Sequence, residues 1–185
     1  MRLFIAIEFP DDIKAALGQL RVDIPGARWV ATEQIHLTLA FLGEVEDAAV
    51  EPLTRALAHV RIPEFRLRFG GAGCFPSRQR PRVLWAGLQP EPRLNDLVDR
   101  IRSTVLACTI PQEERRFSPH ITLARLKLEP SPVFDGFLER HRQLRLPSFL
   151  VTEFVLYQSH LTAQGAMHIP IKRFLLTAAC AGNAL

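Results

Sequence analysis

Two short stretches of the chain are nearly identical. HLTLA occupies positions 36–40 and HITLA positions 120–124, so a histidine and a threonine stand two residues apart in both. In a β-strand, side chains two residues apart point to the same face, and the residue between them points to the other. Each stretch therefore predicts a strand with an imidazole and a hydroxyl on one face and core residues on the other. Two copies of one small site indicate two halves that face each other.

A third His-x-Thr triplet runs from His160 to Thr162, and its context differs. It is followed by Ala-Gln-Gly, a turn-like sequence at which a strand should end. Because short motifs also occur by chance, their position in the chain has to decide among them. We interpret the third copy as accidental.

The sequence around the first two motifs is also repeated. RLFIAIEFP, which begins at Arg2, matches RVLWAGLQP, which begins at Arg82, in its Arg, Ala and Pro. A helical pattern and then a His-x-Thr motif follow each run, and one short insertion in the second copy reconciles the two spacings. Further amphipathic helices are predicted over 47–60 and 131–144. This order predicts a duplicated β-α-β unit with pseudo-repeats over 2–60 and 82–144.

The remaining segments predict further strands and one glycine-rich connection. Strands are expected over 65–69, 149–161 and 169–177, the last at a sheet edge because Pro170 interrupts it. The run GGAG at 70–73 predicts a bulged or tight connection, since no Gly-Lys-Ser/Thr and no helix follow as in a phosphate-binding loop. The loop after it contains Arg78, Arg80 and Arg82 and is predicted to be solvated, with a nucleic-acid backbone contact as the alternative.

Length and composition predict one globular domain. The chain has 185 residues, 48% of them hydrophobic and 23% charged, which fits a single soluble domain over 1–178 with a flexible tail at 179–185. No apolar run reaches the ~20 residues needed to span a bilayer, and the first residues lack a signal-peptide cleavage site, so we expect a cytoplasmic protein. Three widely spaced cysteines argue against a disulfide framework or a zinc ribbon. The net charge of +4 would attract an anionic partner, and a basic surface that only confers solubility is the equal alternative.

Two histidines that flank one ligand can carry out acid-base chemistry at phosphorus. An imidazole with a pKa of about 6.5 accepts a proton in its neutral form and donates one in its charged form. One ring can activate a nucleophile while the other protonates the leaving oxygen on the opposite side. Hydroxyls from Thr38 and Thr122 can hydrogen-bond the non-bridging phosphoryl oxygens. The pair His36 and His120 with these threonines is the predicted site.

A metal centre is the sharpest alternative for paired histidines. Zinc and two-metal sites usually draw on Asp, Glu or Cys close to the histidines, yet Leu, Ile and Ala flank both motifs. Glu33 and Glu44 are the carboxylates nearest the first motif and lie beyond the ends of its strand. We therefore expect no metal and no other cofactor. Strand histidines that are merely satisfied by hydrogen bonds are the other alternative, disfavoured because both motifs fall within a repeat.

Taken together, these residues resemble a known family. The two His-x-Thr motifs, RLFIAI from Arg2, PRVLWAG from Pro81 and FSP at 117–119 are similar to the RNA 2′,3′-cyclic phosphodiesterases, also called bacterial 2′-5′ RNA ligases. These belong to the two-histidine (2H) phosphoesterase superfamily. The resemblance extends from Arg2 to Phe174. It implies a duplicated α+β fold in which two antiparallel sheets line a central cleft, with helices outside and a pseudo-twofold axis.

The resemblance also implies an activity and roles for the site residues. The expected reaction is metal-free hydrolysis of an RNA 2′,3′-cyclic phosphate end to a 2′-phosphate. His36 would be the proton donor to the departing 3′ oxygen and His120 the proton acceptor that activates water, although the near-symmetry of the motifs gives no physical means of choosing. Thr38 and Thr122 would bind the phosphate. Arg125 would be a further substrate contact, but strict alternation points it away from His120, so a bulge is required.

Three functional hypotheses therefore follow from the sequence. The first is a monomeric RNA 2′,3′-cyclic phosphodiesterase acting on RNA ends, including those of tRNA fragments, with reversible 2′-5′ ligation by the same groups. The second keeps the chemistry and changes the substrate to a small cyclic nucleotide or cyclic sugar phosphate. The third is a non-catalytic RNA-binding module whose histidines only contact phosphate.

Overall fold

Alternating strands and helices follow one another in the order that the sequence predicts. The structure, a computed structural model, describes residues 1–112, 116–127, 131–162 and 165–178. In chain order the elements are β1 (Arg2–Glu8), α1 (Asp11–Gly18), β2 (Ala27–Trp29), β3 (His36–Glu44), α2 (Asp47–Leu57), β4 (Phe65–Leu67), β5 (Phe69–Phe75), β6 (Val83–Leu88), α3 (Pro92–Ala107), β7 (His120–Leu126), α4 (Pro132–Arg140), β8 (Phe149–Val151), β9 (Glu153–Thr162) and β10 (Gly165–Leu175).

The strands form two four-stranded antiparallel sheets and one short ribbon. Sheet A has the order β10-β9-β1-β3, and sheet B has the order β2-β7-β6-β5. The ribbon pairs β4 with β8. Each His-x-Thr motif starts a strand, β3 in sheet A and β7 in sheet B. The fold is therefore α+β with two antiparallel sheets, as predicted.

The two halves of the chain exchange strands between the sheets. In both halves a strand, a helix, the His-x-Thr strand, a second helix and two further strands follow in that order. β5 of the first half pairs with β6, which opens the second half, and β9 of the second half pairs with β1. In the ribbon, Arg66 pairs with Leu150. The sequence separation of these two residues is the same as that of His36 and His120. Equivalent residues thus pair with each other, as expected on a pseudo-twofold axis.

The strand registers correct one detail of the sequence repeat. Thr38 pairs with Ala6 in sheet A. Its counterpart Thr122 pairs with Trp85 in sheet B, so Ala6 and Trp85 are the equivalent positions of β1 and β6. The sequence match aligned Ala6 with Ala86 instead. That match was wrong by one position. Two residues of the same type can align in sequence although their side chains lie on opposite faces of the equivalent strands.

Helix boundaries follow from local capping and from the apolar stripe that each helix buries. Ser131 caps α4 by accepting a hydrogen bond from the backbone N–H of Phe134 (3.3 Å), and Pro132 follows at the first helical position. α3 begins in the same way, with Glu91 before Pro92. Its buried stripe has three- and four-residue spacing and consists of Leu94, Leu97, Val98, Ile101 and Val105. Both helices thus pack one face on the sheets.

One apolar cluster contains core residues of both sheets and all four helices. It includes the motif residues that alternate with the histidines and threonines, namely Leu37, Leu39, Ile121 and Leu123. A second, smaller cluster lies on the other face of sheet A and consists of Phe4, Ala6, Val155 and Tyr157. The helices therefore cover one face of each sheet. We call the opposite faces, which carry the histidines and threonines, the motif faces.

The glycine-rich run lies within strand β5. The register of β5 against β6 shifts between Phe69 and Ala72, which is the bulge that the sequence predicts. Gly73 has a separate role, because a Cβ there would lie 2.3 Å from Cζ2 of Trp85. The indole of Trp85 thus rests directly on the backbone of β5, and only glycine leaves room for it.

Several predicted boundaries differ from the structure. Strand β2 was not predicted, because three residues are too few to show a period of two. The expected strands over 65–69 and 149–161 are each divided in two, since β4 and β8 leave the sheets to form the ribbon. Pro170 does lie on an edge strand, β10. The predicted tail at 179–185 lies outside the described residues. None of the described helices is long and apolar enough to cross a membrane.

Candidate active site

Both His-x-Thr strands contain a β-bulge at the same position. In β3, Ala40 pairs with Ile5 and Thr38 pairs with Ala6, so Leu39 is an extra residue between them. In β7, Ala124 and Thr122 pair with consecutive residues of β6, so Leu123 is the extra residue. Each extra residue directly follows the threonine of its motif. The bulge is thus part of the repeated unit.

The bulge changes which later side chain shares a face with the histidine. In each strand two consecutive residues are buried after the threonine, and the next residue is exposed. That exposed residue is Arg125 in β7 and Phe41 in β3. Arg125 therefore lies on the motif face with His120 and Thr122, which is the condition its predicted role requires. Strict alternation would have placed it on the core face.

Phe41 is a residue that sequence reasoning did not assign to the site. Its side chain is 64% exposed and its ring lies 6.3 Å from the ring of Phe4. An exposed phenylalanine on a polar face is unusual for a core-forming residue. The signal for it was present in the sequence as two apolar residues in a row, Leu39 and Ala40, within an alternating strand.

The structure places the two motif strands next to each other. β3 and β7 are in contact although they belong to different sheets. Their apolar faces share one core, so their motif faces both point away from it. His36, Thr38, His120 and Thr122 are partly buried there.

Each catalytic candidate is fixed by a backbone carbonyl two residues before it. Nδ1 of His36 lies 2.7 Å from the carbonyl oxygen of Gln34, and Nδ1 of His120 lies 2.8 Å from that of Ser118. A carbonyl oxygen only accepts hydrogen bonds, so Nδ1 carries the proton in both rings. Nε2 is then the nitrogen left to bind or exchange a proton with a ligand. The two histidines are thus held by equivalent hydrogen bonds, in which Nδ1 is the donor in both.

His36 lies among other rings on the motif face of sheet A. Its ring centroid is 5.1 Å from that of Phe4 and 5.1 Å from that of His168. Burial lowers the pKa of His36 to about 4, and the hydrogen bond to Gln34 opposes this only in part. His36 is therefore neutral at neutral pH in the unliganded protein.

His120 has a different environment on sheet B. Its ring meets that of Phe75 edge-on at a centroid distance of 5.0 Å. Trp85, the strand partner of Thr122, packs on Phe75 in turn at 5.3 Å. The indole N–H of Trp85 is buried and, among the described residues, has no hydrogen-bond partner. Aromatic side chains thus support this ring from one side.

Positive charge is concentrated at the end of β7. Arg125 pairs in register with Arg28 of β2, so the two arginines lie directly across from each other. Two guanidinium groups on neighbouring strands are suited to an anionic ligand. The first half has no equivalent, because Phe41 replaces Arg125 there.

The carboxylate on the strand position paired with His36 already forms ion pairs. Glu8, the strand partner of His36, forms ion pairs with Lys14 at 3.0 Å and with Arg173 at 2.7 Å. The interactions with Lys14 and Arg173 outweigh desolvation and lower the pKa of Glu8. Within residues 1–112, 116–127, 131–162 and 165–178, no group of three His, Cys, Asp or Glu side chains is arranged to bind a metal ion.

The third His-x-Thr triplet lies apart from this arrangement. His160 is exposed and pairs with Met167 in the β9-β10 hairpin. The adjacent residue Ser159 pairs with His168, which faces His36, so His160 points to the opposite face. Its position agrees with the interpretation that this copy is accidental.

Comparison with known proteins identifies the family. A family model described as LigT like Phosphoesterase matches the chain twice, over residues 7–85 and 87–168. The chain belongs to this family. The two consecutive matches correspond to the two structural halves, and the predicted family, fold and phosphoesterase enzyme class are confirmed.

Named relatives in this family cover most of the chain. The RNA 2′,3′-cyclic phosphodiesterase of Escherichia coli K12 is 36% identical over 184 residues, which are 95% of this chain and 97% of that protein. The chain is 34% identical to the corresponding Geobacillus stearothermophilus protein over 164 residues and spans about half of its length (52%).

Solved structures in the family superpose on the whole domain. A crystal structure from Thermus thermophilus matches with a TM-score of 0.79 at 33% identity and covers 96% of this chain and 99% of its own. Escherichia coli LigT complexed with 3′-AMP matches with a TM-score of 0.78 at 33% identity and covers 95% and 98%.

The lowered pKa of His36 predicts a loss of stability in mild acid. Between pH ~6.5 and ~4 the unfolded chain binds a proton at this residue and the folded protein does not, so the free energy of unfolding decreases as pH falls. The expected contribution is on the order of 3 kcal/mol, and burial of His168 and His141, which lowers their pKa values, acts in the same direction. Urea unfolding measured across this pH window tests the prediction.

Two variants complete that measurement. His36→Gln removes the titrating group and should give a flatter dependence of the unfolding free energy on pH. His160→Gln removes an exposed histidine and should keep the parental dependence. Equal slopes for the parent and His36→Gln would contradict the prediction.

Proposed function

We propose that the protein is a metal-independent RNA 2′,3′-cyclic phosphodiesterase that converts cyclic phosphate ends to 2′-phosphates. One observation carries the proposal: two related strands in contact each present a histidine whose Nδ1 is held by a carbonyl, which leaves Nε2 free. Two such nitrogens are suited to give and take a proton on either side of one phosphate. The names of the relatives described above support the choice of substrate.

In the proposed reaction the two histidines have opposite roles. Nε2 of His120 takes a proton from water, whose oxygen then forms a bond to phosphorus. The bond from phosphorus to the 3′ oxygen breaks, and Nε2–H of His36 gives its proton to that oxygen. The product keeps the phosphate on the 2′ oxygen, and both rings return to their starting state when protons exchange with solvent.

Three further side chains stabilise the phosphoryl group in this proposal. Thr38 and Thr122 donate hydrogen bonds from their hydroxyls to non-bridging oxygens. Arg125, brought to the motif face by the bulge, adds a charged and bidentate donor. These donors oppose the charge that develops on the phosphoryl oxygens in the transition state.

The low pKa of His36 sets a condition on its role as the acid. In the free protein the ring is neutral and its one proton is on Nδ1, so Nε2 has to gain the proton that it donates when the substrate binds. The negative charge of the cyclic phosphodiester provides this, because an opposite charge within ~4–6 Å raises the pKa of an imidazole. Binding of the anion and protonation of His36 are therefore coupled.

Cleavage of a 2′-5′ bond by transesterification would give a cyclic phosphate end, and ligation is the reverse of that step. If a 5′-hydroxyl of a second RNA replaces water, the same base and acid form a 2′-5′ bond from a cyclic phosphate. We include this activity in the proposal, since the same groups act in both directions. RNA ends as the partner, a monomeric state and a cytoplasmic location are also proposed.

Turnover of a defined RNA tests the proposed function. An oligoribonucleotide with a 2′,3′-cyclic phosphate end should yield a 2′-phosphate end in the presence of excess chelator. His36→Ala and His120→Ala should each lower the rate by about 10²–10⁴-fold, because each removes a proton-transfer group. The ends are identified by their sensitivity to phosphatase and by mass spectrometry.

The other outcomes of this experiment are distinct. His160→Ala is the matched control and should retain the parental rate. Loss of activity in chelator would overturn the metal-free part. Turnover of cyclic mononucleotides alone would favour the small-molecule alternative, and RNA binding without turnover would favour the non-catalytic module.

A sulfur-containing substrate tests the assignment of acid and base. When sulfur replaces the bridging 3′ oxygen, the leaving thiolate needs no proton. His36→Ala should then lose far less activity on the sulfur substrate than on the oxygen substrate, where we expect about 10²–10⁴-fold. His120→Ala should lose similar activity on both. The opposite pattern would exchange the two roles.

We also propose that Phe41 stacks on the terminal base. Its ring is exposed on the motif face and would offer a sequence-tolerant platform. Phe41→Leu should raise KM for a base-containing cyclic phosphate by roughly 5–100-fold, the equivalent of about 1–3 kcal/mol, with kcat nearly unchanged. Leu175→Ala, a change at another exposed apolar residue, should leave KM unaltered. An equal KM effect on a cyclic ribose phosphate without a base would contradict stacking.

A further inference from the structure

The end of the β9-β10 hairpin lies against the residues that precede and include His36. Nε2 of Gln34 donates a hydrogen bond to the carbonyl oxygen of Ala166 (2.7 Å), and the ring of His168 meets the ring of His36 edge-on at 5.1 Å and 82°. β10 is separated from β3 by two strands in the sheet order. Sheet A therefore curls until the first residues of β10 reach the first residues of β3.

His168 belongs to a compact group of three rings. Its centroid is 4.8 Å from that of Phe4 in an edge-on contact, and Phe4 in turn lies 5.1 Å from His36. Each ring thus touches the other two. His168 is partly buried, and within the described part of the chain its ring nitrogens have no hydrogen-bond partner. Packing alone holds it in place.

The second half has no equivalent of this contact. Ser118 occupies the position of Gln34, and among the described residues its exposed side chain makes no bond to another strand. The ring of His120 packs on Phe75, which cannot carry a charge. The two catalytic candidates are therefore held by the same backbone bond but differ in what contacts their rings.

Charged or titratable groups from four elements lie around His36. Glu8 on β1 favours its protonated form, whereas Lys14 on α1 and His168 on β10 oppose it. Glu8 is itself bound by Lys14 and by Arg173 on β10, and it contacts the hydroxyl of Tyr157 on β9. Among these groups His168 has the ordinary pKa nearest to neutrality, and burial lowers that pKa, so His168 gains its charge as the solution becomes mildly acidic.

We propose that Gln34 and His168 clamp the imidazole of His36, and that His168 controls through its own charge when His36 carries a second proton. His168 is thus a positioning residue and does not exchange protons with the substrate. Two imidazolium ions at this distance repel each other, so the two rings titrate as a coupled pair. The catalytic consequence rests on the proposed function, whereas the structural claim concerns His36 alone.

Titration of the histidine rings tests the clamp without any substrate. In protein with isotope-labelled histidine, NMR signals of His36 are followed against pH in the parent, His168→Phe, His168→Gln and His160→Gln. Replacement of His168 by Phe keeps the ring contact and removes the charge, so the midpoint of His36 should move to higher pH. His168→Gln should move it in the same direction, and the exposed control His160→Gln should leave it in place. An unchanged midpoint in both His168 variants would overturn the proposal.

Kinetics on a 2′,3′-cyclic phosphate end test the positioning part. Gln34→Met keeps the length of the side chain and removes the bond to Ala166. It should lower kcat by about 5–100-fold at nearly constant KM, because a ring displaced by a fraction of an ångström is poorly aligned for proton transfer. His168→Phe keeps the ring contact, so its kcat should stay within a few-fold of the parental value while its pH profile shifts. His168→Ala removes the ring and should lower kcat. Parental kcat in both Gln34→Met and His168→Ala would overturn the clamp.

The two experiments separate the inference from the function on which it rests. If the parent protein does not hydrolyse the cyclic phosphate, the proposed function fails while the NMR titration still decides the coupling of His36 and His168. If the parent is active and the His168 variants keep both the parental midpoint of His36 and the parental pH profile, the function stands and the clamp is wrong. Unfolding in urea verifies that each variant is folded.

Discussion

The paired β-bulge at Leu39 and Leu123 is the constraint on which the site depends. Without it, alternation would place the residue after Ala40 or Ala124 in the core, and an arginine there would be buried without a partner. With it, each strand presents three side chains to one face, two before the bulge and one after it. The bulge thus converts a two-residue motif into a three-residue surface, and it does so in both halves of the chain.

The near-symmetry of the two halves gives both histidines the same local arrangement. The differences between the halves distinguish one end of a ligand from the other. Both histidines are fixed by the carbonyl two residues before them, so either ring could act as acid or base. The residues after the bulge differ, since one half presents Phe41 and the other Arg125. A flat aromatic ring suits a base, whereas a guanidinium suits a phosphate. In the proposed function this difference would fix one orientation of a nucleotide end, with its base over sheet A and its phosphate towards Arg125.

The sequence predicted the parts of this site that follow from local patterns. The His-x-Thr strands and their duplication came from periodicity and internal repetition, and the α+β fold came from the family resemblance. The pairing of β4 with β8 and the short strand β2 could not be predicted, because three-residue strands carry no readable period and depend on partners far along the chain. The contrast between Phe41 and Arg125 was readable from the sequence, but the exposure of Phe41 on the motif face and the contact of His168 with His36 were not, for a related reason. Their roles follow from a bulge and from the curl of a sheet, which place residues together that no sequence spacing connects.

The neutral state of His36 in the free protein is consistent with its proposed role as an acid once substrate binding and protonation are treated together. Burial disfavours a charge on this ring most strongly, and His168 and Lys14 disfavour it further. A cyclic phosphodiester adds one negative charge beside the ring, an effect of about 1–3 pKa units for a close opposite charge. By linkage, the same free energy strengthens binding of the anion to the protonated form. In the proposed reaction the free protein thus avoids a charge on this buried ring, and the bound substrate makes that charge favourable when the departing oxygen needs a proton.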